Sequence, residues 1–155
     1  MSRDTVFQRG AQKPSMKPIT QVTAAILERD GRILIAQRKS GGFLSGKWEF
    51  PGGKVEAGET PETCLGRELR EELAIEVTVG EYLGSHIYHY DHLSIELMAY
   101  RAFWVSGVLT MNDHNACRWV PIDQLAGFDF APADLPFVAM LTKGRIDLKR
   151  QPRQK

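Results

Sequence analysis

Alternating apolar and polar residues run through much of the chain and predict more strand than helix. The segment ITQVTAAILERDGRILIAQR indicates two strands joined at Asp30-Gly31, because Asp-Gly between β-rich runs is a strong hairpin signal. Two later strands, in IEVTVGEYLGSHIYHY and LSIELMAYRAFWV, are predicted to join at Asp91-His92. ACRWVPI and a short Trp48-Glu49-Phe50 segment complete the predicted strands.

Helical signals are fewer. Thr60 is a good N-cap and Pro61 suits the first helical position, so a helix is predicted from there to about Ala74. A short helix over residues 123–126 and a last helix over 132–143 follow. The fold class predicted from these elements is α+β, with a mixed sheet packed between helices.

Composition and charge narrow the function classes. The chain has 155 residues, 43% of them hydrophobic, which suits one soluble domain. We predict this domain over residues 19–144, with a flexible tail at 1–18 and a basic tail at 145–155. A net charge of +1 argues against stable nucleic-acid binding, and no apolar run suggests a membrane span or a signal peptide. Cys64 and Cys117 match no metal spacing and are expected to be free thiols in the cytoplasm.

A cluster of acidic residues lies near the end of the first helix. Leu65, Leu69 and Leu73 form its apolar stripe, and three glutamates share an arc beside that stripe: Glu68, Glu71 and Glu72. Like charges at this spacing, close to a helix C-terminus, destabilise the helix. The cluster is therefore either a solvated charged face or a set of oxygen ligands for Mg²⁺ or Mn²⁺.

The loop before this helix supports the metal interpretation. In GGKVEAGETPETCLGRELREELAI, five residues separate Gly53 from Glu59 and seven separate Glu59 from Arg67, and Arg67 opens the run Arg-Glu-Leu-Arg-Glu-Glu. This spacing resembles the signature of the Nudix hydrolases. Further segments, including KWEFPGGK and FAPADLP, resemble the MutT-type subfamily and its pyrimidine-nucleotide branch. The chain departs from the family pattern at Ala74, where a glycine is usual.

The resemblance implies an α/β/α sandwich fold and a divalent cation, Mg²⁺ or Mn²⁺. It implies Glu71, Arg67 and Asp113 as catalytic candidates, with Arg67 orienting its neighbours and Asp113 left open as metal ligand, general base or plain loop residue. The implied metal ligands are the carbonyl of Gly52 and the carboxylates of Glu68, Glu71, Glu72 and, less directly, Glu59.

Substrate contacts are predicted on several segments. Arg38 and the weaker candidate Lys54 are expected near the phosphates, and Glu49 near the sugar or the metal. Tyr90 and His92, with Tyr88, are candidates for flanking a base, although packing at the sheet edge is an open alternative. Asp134 stands where members specific for oxidised guanine carry asparagine. It is a candidate base reader, or alternatively a cap of the last helix.

His86, His89 and His92 are spaced like metal ligands, but alternation along a strand points His89 away from the other two. Zinc is therefore disfavoured.

By this resemblance the chain is expected to hydrolyse nucleoside triphosphates to a monophosphate and pyrophosphate, with cytosine or modified nucleotides favoured. Three alternatives stay open: an 8-oxo-dGTP diphosphatase, a hydrolase of another nucleoside diphosphate derivative, and a non-catalytic nucleotide-binding module. A monomer or homodimer is expected.

Overall fold

The computed structural model describes residues 18–146 and Leu148, and in this part of the chain six strands form a mixed sheet between helices. The strands are β1 (Ile19–Arg29), β2 (Arg32–Arg38), β3 (Trp48–Glu49), β4 (Ile75–His89), β5 (Ser94–Gly107) and β6 (His114–Pro121). The α-helices are α1 (Pro61–Leu73) and α2 (Leu135–Thr142), and 3₁₀ turns cover Ile122–Gly127 and Pro132–Asp134. The predicted last helix therefore begins as a 3₁₀ turn, and the predicted short helix is also 3₁₀.

The predicted hairpin joins β1 to β2. Asp30 and Gly31 have φ angles of 53° and 79°, the left-handed pair that matches the twist of the flanking strands. The backbone N–H of Gly31 donates to a Glu28 carboxylate oxygen at 2.7 Å and stabilises the turn.

Strand β1 is central to the sheet and runs parallel to β5, which pairs with β4 in the antiparallel sense. Strand β2 lies between β3 and β6, antiparallel to both. The β2–β6 register shifts between Gln37 and Arg38, so that Arg38 lies opposite His114. This irregularity lies at the end of β2 that borders residues 39–47 (KSGGFLSGK), the glycine-rich loop.

Each face of the sheet buries one helix. The predicted leucine stripe of α1 is fully buried, and its neighbours include Ala25 and Leu27 of β1. The alternating residues Ala24 and Ile26 pack on the other face, in the cluster that contains Phe137 of α2. Full burial of each such aliphatic side chain contributes about 1.5–3 kcal/mol. The predicted α+β sandwich, with a mixed sheet between helices, is confirmed.

The chain continues its apolar packing beyond the predicted domain end at residue 144. Ile146 and Leu148 pack against the core, and the Leu148 carbonyl accepts a hydrogen bond from the buried Arg101 guanidinium. Except for Pro18, the predicted N-terminal tail lies outside the described residues, as do residues 147 and 149–155 of the predicted basic tail. Among the described helices, none has the length and apolar character needed to cross a membrane. Both cysteines are free, as predicted.

Candidate active site

A cleft of about 650 Å³ lies where the glycine-rich loop, α1, the start of β6 and the 3₁₀ turn before α2 meet. Its volume is within the range of small-molecule sites. It brings together nine of the predicted site residues: Arg38, Glu49, Gly52, Lys54, Glu68, Glu72, Tyr90, Asp113 and Asp134.

Two glycines shape the cleft wall by allowing close backbone approach. A Cβ atom on Gly52 would lie 1.9 Å from the Thr23 carbonyl oxygen, and one on Gly53 would lie 2.1 Å from the carboxyl carbon of Glu68. The Gly53 carbonyl accepts from the Thr23 backbone N–H at 2.8 Å. Any side chain here would therefore displace either β1 or the Glu68 carboxylate.

Arg67 lies at the centre of the acidic cluster. Its Nε donates to Glu59 at 2.5 Å and its Nη2 to the second Glu59 oxygen at 2.9 Å. Its Nη1 donates to Glu68 and to Glu71, each at 3.1 Å. The hydrogen bond from Arg67, followed by that from the Glu56 backbone, lowers the pKa of Glu59 to about 2. Arg67 thus joins Glu59 of the preceding loop to Glu68 and Glu71 of α1.

Glu72 is the least satisfied acid of the cluster. Its Oε1 is buried and has no hydrogen-bond partner within the described residues. Burial first, and then the neighbouring Glu68, Glu49 and Asp113 carboxylates, raise the pKa of Glu72 to about 8. Several acids thus crowd one buried oxygen, which is an arrangement that a cation would stabilise.

Glu68, Glu71 and Glu72 do not meet at one point. Within residues 18–146 and Leu148, no three His, Cys, Asp or Glu side chains form a group that could hold a metal ion. The reason is that Arg67 pairs with Glu68 and Glu71, and the Glu71 side chain is 60% exposed. The donor set nevertheless fits a hard cation, because the orphaned oxygen of Glu72 lies in a cluster of acidic oxygen donors.

The loop before β6 is fixed to the C-terminus of α1. Asn112 donates from its backbone N–H to the Glu72 carbonyl at 3.0 Å and from Nδ2 to the Glu71 carbonyl at 2.8 Å. These bonds satisfy carbonyls that have no partner inside the helix. They hold the next residue, Asp113, at the cleft, where Lys39 Nζ lies 3.8 Å from its Oδ1.

His114 is a cleft residue that the sequence analysis missed. Its Nε2 lies 3.0 Å from Glu49 Oε2, and Glu49 Oε1 accepts from Arg38 Nη1 at 3.0 Å. The signal was weak, because a lone histidine at a strand start carries no motif. His114 lies opposite Arg38 because of the β2–β6 register, and the sequence pattern does not predict that register.

Asp134 lies on the cleft wall and occupies the N-cap position of α2. Its side chain makes no capping hydrogen bond to the helix, and its Oδ2 accepts instead from the backbone N–H of Phe50 at 3.0 Å. Burial, reinforced by the Glu49 charge, raises the pKa of Asp134 well above its usual range and favours the neutral acid.

Aromatic side chains surround this end of the cleft. The Tyr90 hydroxyl accepts a hydrogen bond from the Ala133 N–H at 3.1 Å. The centroid of the Tyr90 ring lies 5.1 Å from that of Phe43 and 4.6 Å from that of Tyr88. Phe43, on the glycine-rich loop, is a second cleft residue that the sequence analysis missed. His92 is exposed in the turn between β4 and β5, outside the cleft lining.

The histidines of β4 have other contacts. The His86 ring lies 5.0 Å from that of Phe137, and His89 Nδ1 is 2.6 Å from Ser94 Oγ.

Comparison with known proteins decides the family. A model of the NUDIX domain matches residues 17–141, most of the chain. The chain belongs to the Nudix family. A CTP pyrophosphohydrolase of Escherichia coli K12 is 45% identical over 118 residues, which are 76% of this chain and 87% of that protein. An 8-oxo-dGTP diphosphatase of Haemophilus influenzae is 34% identical over 126 residues, or 81% and 93% of the two chains.

A solved structure gives the same result. The solution structure of the E. coli ORF135 protein matches with a TM-score of 0.73 at 38% identity, covering 88% of this chain and 98% of that one. The chain is a Nudix hydrolase, as predicted from the motif. Nudix hydrolases generally use divalent metals.

The departure from the Nudix pattern at Ala74 has a local consequence. Ala74 is the C-cap of α1 and adopts the left-handed conformation, with φ 61° and ψ 31°. Its N–H still donates to the carbonyls of Arg70 and Leu69, so the helix exit is kept. The alanine therefore strains the backbone without altering the direction of the chain.

Proposed function

We propose that this Nudix hydrolase cleaves nucleoside triphosphates to a nucleoside monophosphate and pyrophosphate, with Mg²⁺ or Mn²⁺. The observation that carries the proposal is the buried, unpartnered carboxylate oxygen of Glu72, crowded by other acids in a cleft that Arg38 also lines. A cation and a polyphosphate together would satisfy these groups. The triphosphate-directed names of the two relatives support the same substrate class.

In this proposal Glu68, Glu72 and the Gly52 carbonyl would hold the cation, and Glu71 would join them once released from Arg67. When bound, the cation would neutralise charge on phosphoryl oxygens and lower the pKa of water. Water attacks the α-phosphorus, the bond from that phosphorus to the α–β bridging oxygen breaks, pyrophosphate leaves, and the nucleoside monophosphate remains. The water proton passes to a carboxylate, either Glu71 or Asp113. Arg38, and Lys54 at the loop, neutralise phosphate charge.

For the base, we propose cytosine nucleotides first and 8-oxo-guanine nucleotides second. The carboxyl of Asp134 lies on the cleft wall beside Tyr90, where a base could stack. A neutral Asp134 can donate and accept at once, so it suits the N3 and N4 positions of cytosine. The CTP-directed relative has the higher identity and favours cytosine, whereas the second relative keeps the oxidised-guanine alternative.

The proposal includes three further expectations. We propose a cytoplasmic protein, in keeping with its two free thiols, that acts as a monomer or homodimer. It would bind small nucleotides without stable nucleic-acid binding. Hydrolysis of a dinucleotide or sugar nucleotide, and nucleotide binding without catalysis, are the competing functions.

A substrate panel tests the proposal. The purified protein is assayed with Mg²⁺ against a dinucleotide, a sugar nucleotide and a set of nucleoside triphosphates. The bases of these triphosphates are cytosine, guanine, 8-oxo-guanine and 5-methylcytosine. Glu71→Gln is expected to lose most activity, and Glu62→Gln, an exposed position on the same helix, serves as the matched control. Activity confined to the dinucleotide or sugar nucleotide, or full activity of Glu71→Gln at saturating Mg²⁺, would contradict the proposal.

A further inference from the structure

Three side chains from three strands form a connected chain on the cleft wall. Arg38 ends β2, Glu49 ends β3 and His114 begins β6. Glu49 accepts from both others, using Oε1 for Arg38 and Oε2 for His114, each at 3.0 Å. One carboxylate therefore uses both of its oxygens to join an arginine to a histidine.

The backbone is arranged to bring these residues together. The β2–β6 register runs regularly up to the pair Gln37 and Ala116, and then shifts so that Arg38 lies opposite His114. Such irregularities re-aim a side chain and are frequent beside active sites. Without the shift Arg38 would pair with Asn115, whose side chain would share its face, and alternation along β6 would point His114 to the other face of the sheet.

The Arg38 guanidinium has a second restraint, because its Nε donates to the Phe43 carbonyl at 3.0 Å. The glycine-rich loop and Glu49 thus hold it from two sides. The Arg38 side chain is 36% exposed and lines the cleft. Its orientation is therefore set by these hydrogen bonds.

His114 is buried, with a side chain only 4% exposed, and its Nδ1 has no hydrogen-bond partner among the described residues. A histidine kept only for packing would not need to bury an unsatisfied nitrogen, which costs free energy. Its one polar contact that the structure describes is the Glu49 carboxylate. That contact is the interaction that His114 contributes to the site.

We infer that His114 is a positioning residue for phosphate binding, which acts on Arg38 through Glu49. The inference rests on the proposed function, in which Arg38 contacts the triphosphate. When a triphosphate binds, its negative charge attracts the Arg38 guanidinium, and Glu49 must keep that guanidinium in its position. The bond from His114 fixes the Glu49 carboxylate for that purpose, so its loss weakens triphosphate binding without removing any group that contacts the substrate.

A matched pair of substitutions tests this. In His114→Gln the amide nitrogen can reach the place of Nε2 and still donate to Glu49, whereas in His114→Asn it lies closer to the backbone and cannot. Each is measured for kcat/KM and for the Kd of an α,β-methylene triphosphate, which binds without being cleaved at that bridge. His114→Asn is expected to lower kcat/KM and to raise the Kd of the analogue, each by about 10- to 100-fold, through a higher KM and not a lower kcat. His114→Gln is expected to restore most of the lost affinity.

A double-mutant cycle separates positioning from a structural role. In an Arg38→Ala background, His114→Asn is expected to have little further effect, because the residue on which it acts is gone. The same fold-loss in both backgrounds, or equal behaviour of the Gln and Asn variants, would overturn the inference. If His114→Asn does not fold, Glu49→Gln replaces it in the cycle with the same expectation.

The Kd measurement with the α,β-methylene analogue also separates this inference from the proposed function. A wild-type protein that binds the analogue, shows the coupling and hydrolyses no triphosphate contradicts the proposed function alone. A protein that hydrolyses triphosphates without coupling between residues 38 and 114 contradicts the inference alone. Wild-type protein that does not bind the analogue contradicts both.

Discussion

Arg67 donates two hydrogen bonds to Glu59, from Nε at 2.5 Å and from Nη2 at 2.9 Å, one to each carboxylate oxygen. The pair joins α1 to the loop that follows the glycines, and it leaves Nη1 for Glu68 and Glu71. A planar guanidinium has enough N–H donors for these four hydrogen bonds, whereas an ammonium has only three. The order of the acidic cluster therefore depends on this one residue being arginine.

Arg67→Lys is predicted to lower kcat by about 10- to 100-fold at saturating Mg²⁺, because the carboxylates lose their common restraint. The pKa of Glu59 should rise from about 2 toward its usual value of 4.5. Steady-state kinetics and an NMR titration of the Glu59 carboxyl measure the two effects.

The sign of the pH effect follows from the lowered pKa. In the wild type, the contribution of Glu59 to stability is present above pH 4.5 and is lost as the pH falls toward 2. The lysine variant should lose less stability over that range. An Arg67→Lys protein with wild-type kcat and an unchanged Glu59 pKa would show that the paired hydrogen bonds of the Arg67 guanidinium are dispensable.

Glu72→Gln is predicted to stabilise the protein in a chelator while removing most activity. The wild type buries a carboxylate oxygen without a partner, and relief of that burial should raise the free energy of unfolding by about 1–3 kcal/mol at pH 9. Because the pKa of Glu72 is raised to about 8, the gain should shrink as the pH falls and the wild-type carboxyl takes up its proton. Urea denaturation at pH 9 and pH 5 measures it.

Mg²⁺ supplies the control for Glu72→Gln. Added Mg²⁺ should raise the Tm of the wild type and have a smaller effect on the variant, since only ligands that bind the native state stabilise it. Equal Mg²⁺ shifts for the two proteins would show that Glu72 does not hold the cation.

Ala74→Gly is predicted to raise the free energy of unfolding by about 1 kcal/mol and to leave kcat/KM unchanged. The left-handed backbone at φ 61° costs an alanine that much, and glycine adopts it freely. The reverse substitution, Gly66→Ala in the interior of α1, should also stabilise the protein. A Cβ there has open space, and a helix interior favours alanine over glycine. Destabilisation by Ala74→Gly in thermal unfolding would mean that the glycine's greater freedom in the unfolded chain outweighs the strain.

Asp134→Asn is predicted to stabilise the protein at high pH, since burial raises the pKa of the carboxyl and an amide oxygen can still accept from Phe50. A raised pKa makes the wild type less stable as the pH rises, so the gain should vanish near the ordinary aspartate pKa. Asp134→Ala, which removes both the donor and the acceptor that we propose for cytosine, should lower the kcat/KM ratio of cytosine to 8-oxo-guanine nucleoside triphosphates. An unchanged ratio would mean that Asp134 does not read the base.

The fold was largely predictable because its signals are local. The Asp30-Gly31 turn, the cap at Thr60 and the leucine stripe of α1 each depend on a few neighbouring residues, and each forms as predicted. The spacing from Gly53 to Glu72 likewise predicted that a loop and a helix would meet at one site.

The missing parts of the site depend on contacts between distant residues. Asp134 accepts from Phe50 across 84 positions, and His114 meets Glu49 across 65. The strand register decides such pairs, and the sequence pattern does not state it. The glutamates of α1 were expected to converge, but an arginine in the same run pairs with two of them. Periodicity gives the direction of a side chain from the helix axis and not its rotamer.

The product of the reaction tests the central claim most directly. Phosphorus NMR follows a cytosine triphosphate with Mg²⁺ and the purified protein, with Glu71→Gln as the blank for contaminating phosphatases. The account predicts equal amounts of nucleoside monophosphate and pyrophosphate, and much less of both with Glu71→Gln. Orthophosphate together with nucleoside diphosphate, or no turnover of any triphosphate, would contradict it.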